Sequence, residues 1–200
     1  YEICACLVGS EMCIRDSDGN VTAVDNAGDI KLGSVLPKAN LAWNNIFTYK
    51  GINAGFLVTA RLGGIVYSAT QAYLDLYGVS ETSAAARDAG GVWVNDRSQV
   101  NPQSFYSVVA SQSGLPTYYT YSATNVRLQE AHIGYTIPRR WLGNVCDINV
   151  SLVGRNLWMI YCKAPFDPEA VATTNNYYQG IDYFMMPSTR NIGFNVKINF

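Results

Sequence analysis

The sequence predicts an all-β fold: five long antiparallel strands of a transmembrane β-barrel, with long extracellular loops and one short loop helix. Three observations predict it. Charged residues make up 14% of the chain and aromatics 12%, with 14 Tyr, against roughly 25% charge in ordinary soluble domains. Mean hydropathy is +0.01, too polar for a bundle of membrane helices, and there is no run of about 18 apolar residues to form one. Strand-period alternation recurs in five segments, separated by connections that are alternately short and long.

The first segment runs from about Asn40 to Tyr49, with Leu41, Trp43, Phe47 and Tyr49 in one phase. Lys50-Gly51 makes a tight turn into the second, where Ile52, Ala54, Phe56, Val58 and Ala60 alternate with Asn53, Gly55, Leu57, Thr59 and Arg61. The third is Asn125 to Ile137. Its apolar phase flips near Glu130, from Val126 and Leu128 to Ile133, Tyr135 and Ile137, which predicts a bulge that re-aims the following side chains. The fourth carries Ile148, Val150 and Leu152 and ends near Trp158. The last, Asn191 to Phe200, alternates most cleanly, with Ile192, Phe194, Val196, Ile198 and Phe200 opposite Asn191, Gly193, Asn195, Lys197 and Asn199. Ser80 to Asp88 is alanine-rich and stops at Gly90-Gly91, so it predicts a short helix in a loop.

Composition would equally suit an extracellular β-sandwich, and the connections decide between the two. With the C-terminus periplasmic, Lys50-Gly51 and Pro138 to Cys146 fall on the periplasmic side, and the loops 18–39, 63–124 and 159–190 all fall outside. Transmembrane barrels divide their turns in this way. A ten-residue strand tilted by about 45° rises roughly 23 Å, close to the apolar band of an outer membrane. A sandwich gives no reason for the alternation, nor for a loop of some 60 residues.

Several stretches carry a family resemblance. RLQEAHIGYTIP (Arg127 to Pro138), VSLVGRNLW (Val150 to Trp158), APFDPE (Ala164 to Glu169), QGIDYFMMPSTR (Gln179 to Arg190) and NIGFNVKINF (Asn191 to Phe200) resemble SusC/RagA-like TonB-dependent outer-membrane transporters. FTYKGINAGFLV (Phe47 to Val58) and ARDAGGVWVN (Ala86 to Asn95) extend the likeness upstream, so it covers about residues 30–200 in order. It implies the C-terminal strands of a large plugged barrel, in a Gram-negative cell outer membrane. It also implies active import of glycan or peptide oligomers energised by TonB–ExbB–ExbD through an N-terminal region expected to be missing here, together with the plug and earlier strands. A SusD-like surface lipoprotein, the barrel assembly machinery and outer-membrane lipid are the implied partners. The apolar strand ending in Phe194, Val196, Ile198 and Phe200 resembles the signal which that machinery reads.

Residues 1–17 are expected to be non-native. Glu11 to Ser17 (EMCIRDS) can be encoded by DNA containing AGATGTGTATAAGAGACAG, which resembles the transposase mosaic end of sequencing adapters, so the stretch reads as an adapter-derived scar. Cys4, Cys6 and Cys13 go with it. Cys146 and Cys162 stand at opposite ends of the fourth strand, some 50 Å apart in extended chain, and are expected to be free thiols.

No enzyme is predicted, and no catalytic or metal residue and no cofactor. The single His132 has no Gly-x-Ser-x-Gly partner and reads as a polar strand residue of the lumen or rim. Asp167, Glu169 and Asp182 read as loop residues, with Asp167-Pro168 setting a turn. Net charge is −1 without a basic cluster, so nucleic acid is not a predicted partner. Among the loop aromatics, Trp93, Tyr118, Tyr119, Tyr177, Tyr178 and Tyr183 are candidate ligand-facing rings, because sugars stack on such faces; packing of the loops or an interfacial girdle would use the same rings. A secreted carbohydrate-binding or adhesin module is the alternative function, and a passive porin a weaker one. A binding module would bury the apolar face of the last strand, whereas a transporter leaves it to lipid.

Overall fold

The structure is a computed structural model that describes residues 11–15, 21–25, 32–94, 99–111, 114–141, 143, 145–172 and 179–199. The chain forms two compact units, one of Ser34–Ile65, Ser122–Ala170 and Met186–Phe200, the other of Tyr1–Gly33, Val66–Tyr121 and Val171–Met185.

The first unit is the predicted five-stranded meander: β1 (Ala39–Tyr49), β2 (Ile52–Leu62), β3 (Asn125–Ile137), β4 (Asp147–Cys162) and β5 (Asn191–Asn199). They lie side by side in chain order, each antiparallel to the next. The β1–β2 turn has Lys50 at φ 48° and Gly51 at φ 87°, and two positive φ values in a two-residue loop match the right-handed twist of the flanking strands. Between β3 and β4, the Asp147 carboxylate accepts from Arg139 through its backbone N–H at 2.9 Å and its Nε at 3.0 Å. The β1–β2 turn, this connection and the end of β5 lie at one end of the sheet, and the long loops leave from the other.

The bulge falls where the sequence phase flips. Leu57 of β2 faces Glu130 of β3 and Val58 faces Leu128, which leaves Gln129 as the extra residue. On the other side of β3, Arg155 faces Glu130 and Trp158 faces Leu128, and the irregularity takes Asn156 to φ 51°. The register then stacks like with like across the sheet. Phe47, Ala54, Ile133, Leu152 and Phe194 form one row, and Tyr49, Ile52, Tyr135, Val150 and Val196 the next. On the opposite face, Asn53 and Asn149 both donate to the Thr136 hydroxyl, at 3.0 and 2.8 Å, and Arg155 pairs with Glu130 at 3.2 Å. The apolar face is uncovered, with Phe194 82% and Trp43 62% exposed. β1 and β5 each have one neighbour in the sheet.

The second unit is built from three helices: α1 (Ala69–Leu76), α2 (Glu81–Asp88) and α3 (Pro102–Val109). The helix expected at Ser80 to Asp88 is α2, with Ser80 as its cap accepting from Ser83 N–H at 2.9 Å. The predicted loop helix is therefore one of three α-helices among the described residues. Ser68 caps α1, while Asn101 caps α3 ahead of Pro102, the residue whose fixed φ and missing N–H suit a first helical position. Phe105, Tyr106 and Val109 of α3 pack with Ala72, Leu115 and Tyr119 into the core of the unit. A two-residue parallel pairing, Ile181–Asp182 with Tyr67–Ser68, sits here, outside the meander. Glu11–Arg15 pairs antiparallel with Val21–Asp25; the side chains of Met12 and Ile14 lie outside the described residues. Cys146 and Cys162 are free thiols.

Gly134 tests the packing of the polar face. A Cβ there would come 2.7 Å from Ser151 Cβ and 3.0 Å from the Val150 carbonyl oxygen. Gly134→Val should therefore destabilise the sheet by about 1–3 kcal/mol, lowering the temperature at which the folded protein is lost on heating. An unchanged transition temperature would contradict the register of β3 and β4.

Candidate functional site

The densest charged cluster of the first unit gathers around Arg127, a strand residue of β3. Its register partners are Thr59 and Met159, and its side chain is only 5% exposed. A guanidinium so buried is expensive unless paired. Nη2 lies 2.8 Å from Asp167 and 3.3 Å from Glu169, and Nη1 donates to Ser188 Oγ at 3.3 Å. Asp167 also accepts from the Ser188 hydroxyl and from the Ser188 and Glu169 backbone N–H groups, the last two at 3.2 and 3.1 Å. The predicted turn at Asp167-Pro168 is present, closed by Ala170 N–H donating to the Asp167 carbonyl at 3.1 Å.

One arginine thus ties the start of the loop after β4 to its end before β5. Burial alone would raise the Asp167 pKa. The Ser188 hydroxyl, the Glu169 N–H and the Arg127 guanidinium outweigh it, and the carboxyl is held below its ordinary value. Beside this knot lies a cavity of about 460 Å³ lined by Arg127, Asn156, Met159, Phe166, Asp167 and Arg190, among others.

The predicted ring residues divide by environment. Tyr119 is 1% exposed in the core of the second unit, and Tyr118 stacks edge-on against it at 5.0 Å and against Phe105 at 6.1 Å. In this structure these two rings pack against their loop neighbours. Burial pushes both phenol pKa values well up. Trp93 is exposed, and so is Tyr183, which packs on Tyr73 at 5.9 Å and on Phe184 at 5.3 Å. Tyr177, Tyr178 and Phe200 lie outside the described residues. Phe194, Val196 and Ile198 share the exposed apolar face of β5.

His132 sits on the polar face opposite Gly55, where a Cβ would come 2.5 Å from the imidazole. Asp182 accepts from Ser68 Oγ at 2.7 Å in the second unit, separate in role from Asp167 and Glu169. Arg127 carries no role predicted from sequence. Its one signal was a charge in a strand otherwise built for alternation, with acids that pair to it 40 residues further on.

Comparison with known proteins gives a consistent picture. No family model matches the chain. It is 25% identical over 199 residues to TonB-dependent receptor P3 of Formosa agariphila, an alignment covering 94% of this chain and 19% of that protein. Among solved structures, the RagAB peptide importer in its open-open and closed-closed states matches with TM-scores of 0.64 and 0.64, at 18% identity, over 94% of this chain and 20% of that one. The RagAB peptide transporter matches at 0.62 and 18% identity, over 92% of this chain and 19% of that one. The chain spans about a fifth of the length of these relatives. Sequence and fold agree with the resemblance to a segment of a SusC/RagA-like TonB-dependent receptor.

The Arg127 knot makes the loop base acid-sensitive. Because the folded Asp167 pKa lies below its unfolded value, its contribution is complete above the ordinary carboxylate pKa of about 3.9 and is lost as pH falls through the folded value. Hydrogen exchange across residues 163–190 should therefore quicken as pH falls below about 4, after correction for intrinsic rates. Arg127→Ala should open the loop base already at neutral pH, since stripping one partner from a buried pair costs roughly 3–5 kcal/mol. Exchange in that variant indistinguishable from the parent would show that the knot holds nothing.

Proposed function

We propose that the chain is part of the wall of an active outer-membrane importer of nutrient oligomers, glycan or peptide, energised by TonB–ExbB–ExbD through an N-terminal region. It has no catalytic role. The observation that carries this reading is the five-strand register, which collects most of the apolar side chains of each strand on one exposed face and a hydrogen-bonded polar ladder on the other, where Ile46, Leu57 and Val153 are apolar exceptions. A soluble module would bury such a face, because an exposed apolar surface of that extent drives association. In a barrel the face meets lipid and the ladder meets the lumen.

The turns support a periplasmic C-terminus. Both tight connections and the end of β5 share one end of the sheet, which is the periplasmic end of a barrel of this kind. The long loops are then extracellular, where a SusD-like surface lipoprotein would cap the barrel. The row Ile192, Phe194, Val196, Ile198 and Phe200 supplies the barrel assembly machinery with an apolar, aromatic-ended strand. The likeness to a TonB-dependent receptor and to the fold of the RagAB importer supports the reading.

The two faces of β5 provide the test. In the full-length receptor, Phe194→Arg places a guanidinium toward lipid, at about 2–4 kcal/mol near the bilayer midplane, and should reduce heat-modifiable barrel in the outer-membrane fraction. Asn195→Arg, one residue on, points to the lumen and should assemble normally. Equal levels for both variants would remove the membrane assignment and favour a secreted module.

A further inference from the structure

The end of the first unit that carries the short turns gathers exposed cations beside exposed rings. The Gly51 carbonyl accepts from Thr136 N–H at 2.7 Å, which sets the Lys50-Gly51 turn against the start of the β3–β4 connection. That connection continues through a short 3-10 turn, Arg139–Trp141. Among the described residues of 48–53 and 135–149, Asp147 is the one acid, and Arg139 pairs with it at 3.0 Å. Lys50 and Arg140 are exposed, and no ion pair among the described residues offsets either charge. Lys50 instead holds its ammonium 5.2 Å from the centre of the Tyr49 ring, an attraction between a cation and an aromatic face. Tyr49 and Tyr135 lie in one cross-strand row near the margin of the apolar face, and Trp141 in the connection is 64% exposed.

We propose that this end is a docking surface for anionic glycerophospholipid headgroups of the periplasmic leaflet, an assignment that rests on the membrane reading above. Lys50 and Arg140 are its phosphate contacts, and Tyr49, Tyr135 and Trp141 are the interfacial rings beside them. Such rings place an apolar body toward the acyl chains and a polar edge toward water. Long cationic side chains lay their methylenes along apolar surface and carry the charge up to the headgroups. Charge complementarity selects the lipid. An anionic headgroup neutralises the two unpaired cations, whereas a zwitterionic one brings a cation of its own among them. A soluble periplasmic acid would engage the charges but leave the rings unused, and Tyr49 and Tyr135 share their row with Ile52, Val150 and Val196 of the lipid-facing side.

The test uses the full-length receptor in detergent, incubated with equal amounts of dioleoylphosphatidylglycerol and dioleoylphosphatidylcholine. Native mass spectrometry then reads the ratio of the two lipids bound. The parent should prefer phosphatidylglycerol by roughly fivefold or more, since each basic residue near a headgroup is worth about that factor. Lys50→Asn combined with Arg140→Gln should bring the ratio close to one; asparagine tolerates the positive φ of position 50. Arg190→Gln removes an exposed cation from the opposite end of the sheet and should leave the preference intact. A parent without preference, a folded double variant that keeps the full preference, or a loss of the same size in Arg190→Gln would each overturn the surface. If the double variant does not assemble, salt decides on the parent: the preference should collapse between about 50 and 500 mM as exposed charges are screened, and a preference indifferent to salt would overturn the surface. A receptor that reaches the outer membrane folded yet binds both lipids alike fails this surface alone, whereas absence from that membrane is failure of the membrane reading.

Discussion

Backbone hydrogen bonding between neighbouring strands is the constraint on which the rest of the first unit depends. A peptide group placed in hydrocarbon has no water to turn to, so each strand must satisfy its neighbour along its full length. That requirement fixes register, and register fixes which side chains meet which solvent, because a slip of one residue exchanges the two faces of a strand. Eleven consecutive pairs join β1 to β2 without interruption. The apolar rows running from Phe47 and Tyr49 across to Phe194 and Val196 follow from that continuity.

Continuity is broken near Glu130, and again on β4 between Met159 and Tyr161, and the first break has a use. Gln129 on β3 and Asn156 on β4 absorb the mismatch at neighbouring positions. Past it, β3 directs Arg127 to the base of the loop after β4, where Asp167, Glu169 and Ser188 meet it. The bulge thus converts a strand of regular alternation into the anchor of a loop. The same irregularity carries Asn156 at φ 51°, with its Nδ2 donating to the Thr189 carbonyl at the end of the loop.

Much of this was legible in the sequence because alternation is a local signal. All five strands were found near their observed limits, and the phase flip near Glu130 located the bulge to one residue. Local signals also found α2, through Ser80 and its alanines. Asn101-Pro102 is a local signal of the same kind for α3, whereas α1 has only Ser68 as a cap. The Arg127 knot was not legible, because its partners are 40 to 61 residues away in the chain and nothing in their spacing reports that they meet. The same is true of the loop rings. Composition marks Tyr118, Tyr119 and Tyr183 alike as aromatic, but only tertiary packing places Tyr119 in a core and Tyr183 at a surface.

The central claim is that the two faces of the β5 strand meet different solvents. It is tested most directly by nitroxide labels placed singly from 191 to 199 in the full-length receptor in bilayers, with Cys146 and Cys162 replaced by serine. Collision with oxygen, which concentrates in lipid, and with a water-soluble nickel chelate is then measured at each site. The account predicts strict alternation, with oxygen favoured at 192, 194, 196 and 198 and the chelate favoured at the positions between. Uniform access to the chelate along the strand, or alternation in the opposite phase, would contradict it.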